Sequence, residues 1–404
     1  MNFDAVIVGA GAAGLFCAIE AGKRGRKVLV LEHNALVGRK ILISGGGRCN
    51  FTNRDVKPEN FISKNPHFCK SALARYTPQD FVELVKRHKI SFYEKRLGQL
   101  FCRESSRLIV EMLLEECRKA KVEIRTNCSV KEIKNLKGIL PNKSLNSRHD
   151  AAVTSFEIET NQDVFNSESL VIATGGLSFA KIGATDFGYK IARQFGLKIV
   201  ETRPALVPLV FAKGGEDYKQ LAGVSCDAVV SCGNAAFREN ILFTHRGLSG
   251  PAILQISNYW RKDMPVSVDL LPTENAFELL ENNRENRQKL DNFLGQFLPN
   301  RFSEIFTKRN FANKPLNQLG KKEIEQTAQI LNGWQVFFGE TEGFDKAEVT
   351  LGGISTNELS SQTMEAKRVS GLYFVGEVID VTGLLGGYNF QWAWASGFAA
   401  GQVV

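Results

Sequence analysis

Asp4-Ala5-Val6-Ile7-Val8-Gly9-Ala10-Gly11-Ala12-Ala13-Gly14 opens the most informative stretch of this 404-residue chain. Asp4 to Val8 is a short apolar run and predicts a buried strand. Leu15 to Ala21 is apolar and rich in small residues, and reads as a helix. Lys27-Val28-Leu29-Val30-Leu31 predicts a second strand that ends on Glu32. Strand, Gly-x-Gly-x-x-Gly, helix, strand and terminal acid together form a βαβ unit with a dinucleotide fingerprint. In that reading Gly9 permits the tight turn, Gly11 lets backbone approach a pyrophosphate, and Gly14 lets helix and strand pack closely. Ala12 and Ala13 lie at the helix start, whose free N–H groups and partial positive charge suit phosphates. Glu32 is placed to accept hydrogen bonds from a ribose diol and to repel a 2′-phosphate. A signal peptide is the competing reading. No basic region precedes the apolar run, and glycines punctuate it at turn spacing, so the fingerprint is preferred.

The second informative stretch is Gly38-Arg39-Lys40-Ile41-Leu42-Ile43-Ser44-Gly45-Gly46-Gly47-Arg48-Cys49-Asn50-Phe51-Thr52-Asn53. Three consecutive glycines make a poor helix and a poor strand. They suit a loop that lies flat against a planar ligand and presents N–H groups. Arg39, Lys40 and Arg48 bring charge for phosphates.

Composition bounds the rest. At 43% apolar and 23% charged residues, the chain is neither disordered nor fibrous. No apolar run is long enough to span a bilayer, and a membrane partner is not expected. The eight cysteines include no Cys-x-x-Cys, which argues against a disulfide framework or zinc and for a reducing, cytoplasmic location. No metal is expected. The net charge of +8 is spread along the chain, often beside acids, so solvated surface and a phosphate-bearing cofactor account for it. No nucleic-acid partner is expected on that basis.

Further along, the spacing of Phe68, Leu73, Tyr76, Phe81, Leu84 and Val85 predicts helices between Pro66 and Lys89, with a start at Thr77-Pro78-Gln79-Asp80. Ser105 to Lys119 reads as a helix. Lys121 to Ile133 and Ser155 to Ile172 read as strands, with a polar loop over 134–150 between them. Leu170-Val171-Ile172-Ala173-Thr174-Gly175-Gly176 is a buried strand whose end, at Thr174 and Gly175, is where ligands bind in open α/β sheets. Residues 198–270 alternate in short runs and predict a β-rich segment, and 271–330 has helical spacing. A returning strand, Leu372 to Glu377, leads to Gly376-Glu377, Asp380 and Gly386-Gly387-Tyr388-Asn389-Phe390-Gln391, then a small-residue helix, Trp392 to Ala400. The expected architecture is α/β. A Rossmann-like dinucleotide domain (1–197 with 346–404) carries an inserted barrel-like β-rich domain (198–270 with 331–345) and a helical subdomain (271–330).

These motifs occur in an order that resembles the bacterial aminoacetone-oxidase-like, or BaiN-like, NAD(P)/FAD-dependent oxidoreductases. Those are relatives of the glutathione-reductase-type and fumarate-reductase-type FAD proteins. The likeness covers essentially the whole chain, and Ser44 to Asn50 is its most specific part. One departure is visible: the family's usual Thr-Gly-Asp-Gly is Thr185-Asp186-Phe187-Gly188 here. The resemblance implies FAD as the resident dinucleotide, with Gly9, Gly11, Gly14 and Glu32 at its adenosine and pyrophosphate end. It also implies that backbone near Val130 meets the adenine. Ser44 to Cys49 would lie on the isoalloxazine, with Asn50 also among the cofactor-binding residues. Gly376, Glu377, Asp380, Gly387, Tyr388, Asn389 and Gln391 would hold the ribityl chain and flavin edge.

FAD supplies hydride chemistry, so few protein groups are strictly needed. His245, in Thr244-His245-Arg246-Gly247-Leu248-Ser249-Gly250-Pro251, titrates near neutrality and is the first candidate acid or base. Cys49 is the second, as a thiol beside the flavin. A second dinucleotide fingerprint is missing, so NADH or NADPH is expected as a transient reductant. The leading expectation is an FAD-dependent oxidoreductase passing hydride between flavin and a small organic substrate. The alternatives are a flavoprotein that binds or modifies RNA, and a non-catalytic flavin redox sensor. Oligomeric state is left open.

Overall fold

A computed structural model describes residues 1–136 and 155–404. Most of the polar loop expected over 134–150 therefore lies outside the described residues. The chain divides into two compact units, Met1–Arg203 with Val349–Val404, and Pro204–Glu348.

In the first unit, strand β1 (Asn2–Val8) leads to helix α1 (Ala12–Lys23) and strand β2 (Val28–Leu31). β1 and β2 are parallel, with Ala5 opposite Val28 and Val8 opposite Leu31. Ala5, Val6 and Ile7 are fully buried, as expected of a parallel strand covered on both faces. The sheet has seven strands. From one edge it runs Glu123–Arg125, β2, β1, Val164–Ile172, Phe156–Thr160 and Val130–Asn135. The strand Val164–Ile172 has two roles. Its first half pairs antiparallel with Phe156–Thr160, and its last three residues pair parallel with the returning strand Leu372–Phe374. Each of the two long strands expected over 121–133 and 155–172 is thus two strands. Asn127, with φ of 51°, and the Asn161-Gln162 turn break them.

α1 and the C-terminal helix, Tyr388–Gly401, cross closely because both place small residues at the contact. A Cβ on Gly397 would lie 2.6 Å from the Ala13 carbonyl oxygen, and one on Gly401 would lie 2.8 Å from that of Cys17. The Thr77 start is a reciprocal cap: Thr77 Oγ1 accepts from Asp80 N–H, and the Asp80 carboxylate accepts from Thr77 N–H at 2.7 Å.

The second unit is a seven-stranded sheet with antiparallel pairings. Its order is Trp334–Val336, Val266–Asp269, Ser225–Cys232, Ala235–Phe243, Gly247–Ser249, Leu209–Phe211 and Phe338–Thr341. Its two edge strands are separated in the chain by Phe337 alone, which brings the sheet's edges to one place. The helices expected over 271–330 share a single apolar core with these strands. Phe302 and Phe306 of helix Asn300–Asn310 pack on Trp334, with ring centroids 6.4 and 5.3 Å away.

Candidate functional site

The fingerprint turn leaves one glycine open and crowds two. Gly9 has φ of 109°, and a Cβ there would lie 2.6 Å from the Ala173 carbonyl oxygen. A Cβ on Gly14 would lie 1.9 Å from the Gly9 carbonyl oxygen. Around Gly11 a Cβ would meet nothing within 4 Å. Gly11 is also the N-cap of α1, and no side chain caps that helix. Its first-turn N–H groups, those of Ala12, Ala13 and Gly14, lack intrahelical acceptors by construction. An uncapped helix start beneath open space fits a pyrophosphate.

Glu32 is buried at the end of β2. Its Oε2 accepts from Ala10 N–H at 3.0 Å, and its Oε1 accepts from Asn34 N–H at 2.9 Å. The carboxylate therefore ties the fingerprint turn to the loop after β2. Backbone of 127–128 runs alongside: Cys128 N–H donates to the Glu32 carbonyl and Asn127 N–H to that of Asn34. Val130 begins the next strand.

Between Gly38 and Asn53 the chain is not one loop. Arg39–Ile43 is a short helix, α2, and Asn50–Asn53 is a strand, β3. Between them Gly45, Gly46, Gly47 and Cys49 have φ of 56°, 66°, 79° and 46°. Ser44 closes the turn by accepting from the N–H groups of Gly47 and Cys49, both at 3.0 Å. At Gly46 and Gly47 a Cβ would meet nothing within 4 Å, so this backbone is open. Arg48 is exposed and its Nη1 donates to the Tyr93 hydroxyl at 3.3 Å. Cys49 is fully buried, and burial pushes its thiol far above the ordinary range, with Ser44 partly opposing and Cys102 adding to the rise. A thiol so placed is neutral and shielded, an environment that does not favour Cys49 as a reactive group.

Several other candidates have side chains committed to the protein. Lys40 Nζ donates to Glu377 Oε2 at 2.6 Å, and Glu377 Oε1 accepts from Thr350 N–H at 2.9 Å. Two expected cofactor ligands thus hold each other. Arg39 donates to Asn34 Oδ1 at 2.6 Å. β3 clamps the start of the C-terminal helix. The Asn50 amide oxygen, oriented by its hydrogen-bond network, accepts from Gly387 N–H at 3.1 Å. Thr52 Oγ1 donates to Gln391 Oε1 at 2.7 Å, and Asn53 Nδ2 donates to the Gly386 carbonyl at 2.9 Å. Gln391 is fully buried and also donates to the Tyr76 carbonyl. Asn389 bonds both backbone groups of Gly383. Asp380 accepts from Lys64 N–H at 2.9 Å, while burial raises its carboxyl pKa. The Tyr388 ring packs edge-on against Phe61. For these residues the side chains are engaged with the protein, so a role in holding the ribityl chain and flavin edge would fall to their backbone. What the segment leaves uncapped is the helix start that follows: Gly387, with φ of 94°, precedes a first turn whose N–H groups no side chain caps.

Two further observations suit a bound cofactor. Thr174 Oγ1 is buried with no hydrogen-bond partner among the described residues, and Gly175, with φ of 72°, has nothing within 4 Å of a Cβ. The departure at Thr185 to Gly188 is absorbed locally. Asp186 pairs with Lys190 at 2.9 Å, and Gly188 sits where a Cβ would meet Thr174 Oγ1 at 2.5 Å.

His245 belongs to the second unit. It is exposed in the turn between Ala235–Phe243 and Gly247–Ser249, where Thr244 N–H donates to the Gly247 carbonyl at 2.9 Å. The reading of the sequence missed the hairpin Phe92–Glu94 with Gln99–Cys102. Its signal was present: two short aromatic runs separated by four residues that include Gly98. Among the described residues, no three His, Cys, Asp or Glu are grouped to hold a metal, and no helix is long and apolar enough to cross a membrane.

The family model described as "HI0933-like protein Rossmann domain" matches residues 3–403. A protein of Escherichia coli (strain K12) named ribosomal RNA dihydrouridine synthase is 49% identical, over 99% of this chain and 98% of its own length. A Haemophilus influenzae protein of the same name is 43% identical, over 98% and 96%. The 3-dehydro-bile acid delta(4,6)-reductase of Clostridium scindens is 30% identical, over 98% of each. The expectation of no nucleic-acid partner finds no support among relatives of which two are named for ribosomal RNA.

Proposed function

The chain belongs to the HI0933-like family of FAD-binding Rossmann flavoproteins, and from that premise we propose that it reduces uridine in ribosomal RNA to dihydrouridine. The observation that carries this reading is the 49% identity, over 99% of the chain, to the E. coli protein named for that reaction. The names of the E. coli and C. scindens relatives share one bond chemistry, addition of hydrogen across a carbon–carbon double bond. Uridine fits it. Its C5–C6 double bond is conjugated with the C4 carbonyl, so hydride arriving at C6 sends negative charge toward O4, and a proton must arrive at C5. Bound FAD, reduced by NADH or NADPH, supplies the hydride.

The chain's own residues do the rest. The uncapped start of α1 and Glu32 would hold the pyrophosphate and ribose. The open backbone of Gly46 and Gly47 would lie along the isoalloxazine, and the N–H groups at the start of the C-terminal helix would favour the anionic reduced form. His245 is the proposed proton donor, as an exposed imidazole in the turn between Ala235–Phe243 and Gly247–Ser249. A free small enone is the second reading, carried by the C. scindens relative.

The test incubates the yellow holoprotein with NADPH and an unmodified ribosomal RNA transcript. One nucleoside of the digest should gain two hydrogens. Reoxidation of the flavin by small enones but never by the transcript would defeat the RNA reading. His245→Ala should keep FAD and slow turnover about 100-fold or more; loss of FAD would assign it a structural role.

A further inference from the structure

The excess positive charge lies in one unit. Residues 204–348 contain 16 Lys and Arg against 18 Asp and Glu, whereas the rest of the chain has 35 against 25. Within that basic unit, the hairpin overlooked in the sequence combines charge with aromatic rings. Tyr93 and Phe101 are stacked, with centroids 5.8 Å apart and planes 22° apart. The Arg103 guanidinium lies 5.8 Å from the Tyr93 centroid, and Lys95 Nζ lies 5.6 Å from that of Phe101. Arg48, Lys95, Arg96 and Arg103 are exposed. Acids near it are Glu94, which is paired with Arg54, Asp55, which is paired with Lys57, and Glu104. Leu97, at the tip, is 67% exposed.

The hairpin is held rigidly at both ends. At its tip, Arg54 N–H donates to the Gly98 carbonyl, and Asn53 Nδ2 donates to the Leu97 carbonyl, both at 2.9 Å. At its base, Cys102 N–H donates to the Arg48 carbonyl at 2.9 Å, and Ser106 N–H to that of Gly47 at 2.8 Å. The platform is therefore bonded to the open glycine loop itself. A Cβ on Gly45 would lie 2.8 Å from the Phe101 ring.

Phe101 is buried, so the ring left for a base is that of half-buried Tyr93; an aromatic ring rimmed by cations is how proteins hold unpaired nucleotides, with the base stacked on it while Lys and Arg follow the phosphates. We propose that the Phe92–Cys102 hairpin, with Arg48 at its foot, docks a single-stranded RNA segment whose bases stack at Tyr93. This segment flanks the nucleotide brought to the Gly46–Gly47 loop. The proposal rests on the reading of the chain as an RNA-modifying flavoprotein. A base must leave its helix to meet a flavin, and unpaired neighbours need a surface of this kind.

The experiment measures binding of the FAD-loaded protein to a fluorescent, unpaired ribosomal RNA fragment across a salt series. The variants are Lys95→Gln with Arg96→Gln, and Tyr93→Leu. The charge variant should weaken binding about tenfold at low salt and lessen the slope of log affinity against log salt by about 1.4, the effect of two lost phosphate contacts. Tyr93→Leu should weaken binding about tenfold with the slope unchanged. Flavin absorbance and its bleaching by NADPH should be unaltered in both, which shows the fold is intact. If the parent protein binds and reduces RNA and these variants match it, the hairpin is not the docking surface. If the parent protein binds no RNA at moderate salt, the functional reading fails, and the docking surface with it.

Discussion

At Gly46 and Gly47 an added Cβ would meet nothing within 4 Å, whereas at Gly387 it would lie 2.4 Å from the Thr52 carbonyl oxygen. All three glycines have positive φ and sit among polar residues that suggest ligand binding. Around Gly46 and Gly47 the backbone is left bare. Around Gly387 the neighbouring side chains are used up: Asn50, Thr52 and Gln391 all bond to protein groups. In the first loop glycine leaves the space beside the backbone open. In the second it lets β3 and the C-terminal helix touch. The second arrangement supports the first, because β3 continues directly from the open loop.

Three substitutions test this contrast. Gly387→Ala should have the largest effect on stability. It combines a left-handed conformation with backbone overlap and should cost about 3 kcal/mol, read as a fall in the thermal midpoint of FAD-free protein. A midpoint equal to wild type would break the comparison at its crowded side. Gln391→Leu comes next. It leaves the Thr52 hydroxyl and Tyr76 carbonyl unpaired in the core, at about 1–3 kcal/mol. If instead it released FAD from an otherwise unperturbed protein, Gln391 would be a ligand and not a strut. Gly46→Ala should cost the FAD-free protein least, about 1 kcal/mol from its positive φ alone. Its signature should be a weaker hold on FAD, seen as flavin released on gel filtration. Equal losses of stability in Gly46→Ala and Gly387→Ala would erase the distinction between the two loops.

The contrast also shows which readings a linear pattern supports. The β1–α1–β2 unit was legible because each signal is local: an apolar run, glycines at fixed spacing, an acid at the strand's end. The Thr77 cap was legible for the same reason. The bond from Lys40 to Glu377 was not legible, because the partner is 337 positions away. The bond from Thr52 to Gln391 was not legible either, across 339 positions. A polar side chain beside glycines looks available until the chain folds and supplies its partner. Cys49 is the same case for burial: a thiol next to three glycines looks exposed, and it is fully buried.

By itself, then, the amino-acid order determined the parallel α/β unit, its glycine turn with the acid at the end of β2, and the presence of a β-rich insertion, since periodicity and glycine spacing act over a few residues. Tertiary structure alone decided which glycines stay open, which polar side chains are spent as struts, and that a basic, aromatic hairpin is bonded to the open loop. Those properties depend on contacts between segments tens to hundreds of residues apart, on excluded volume and on the pairing of buried polar groups, none of which a local pattern contains.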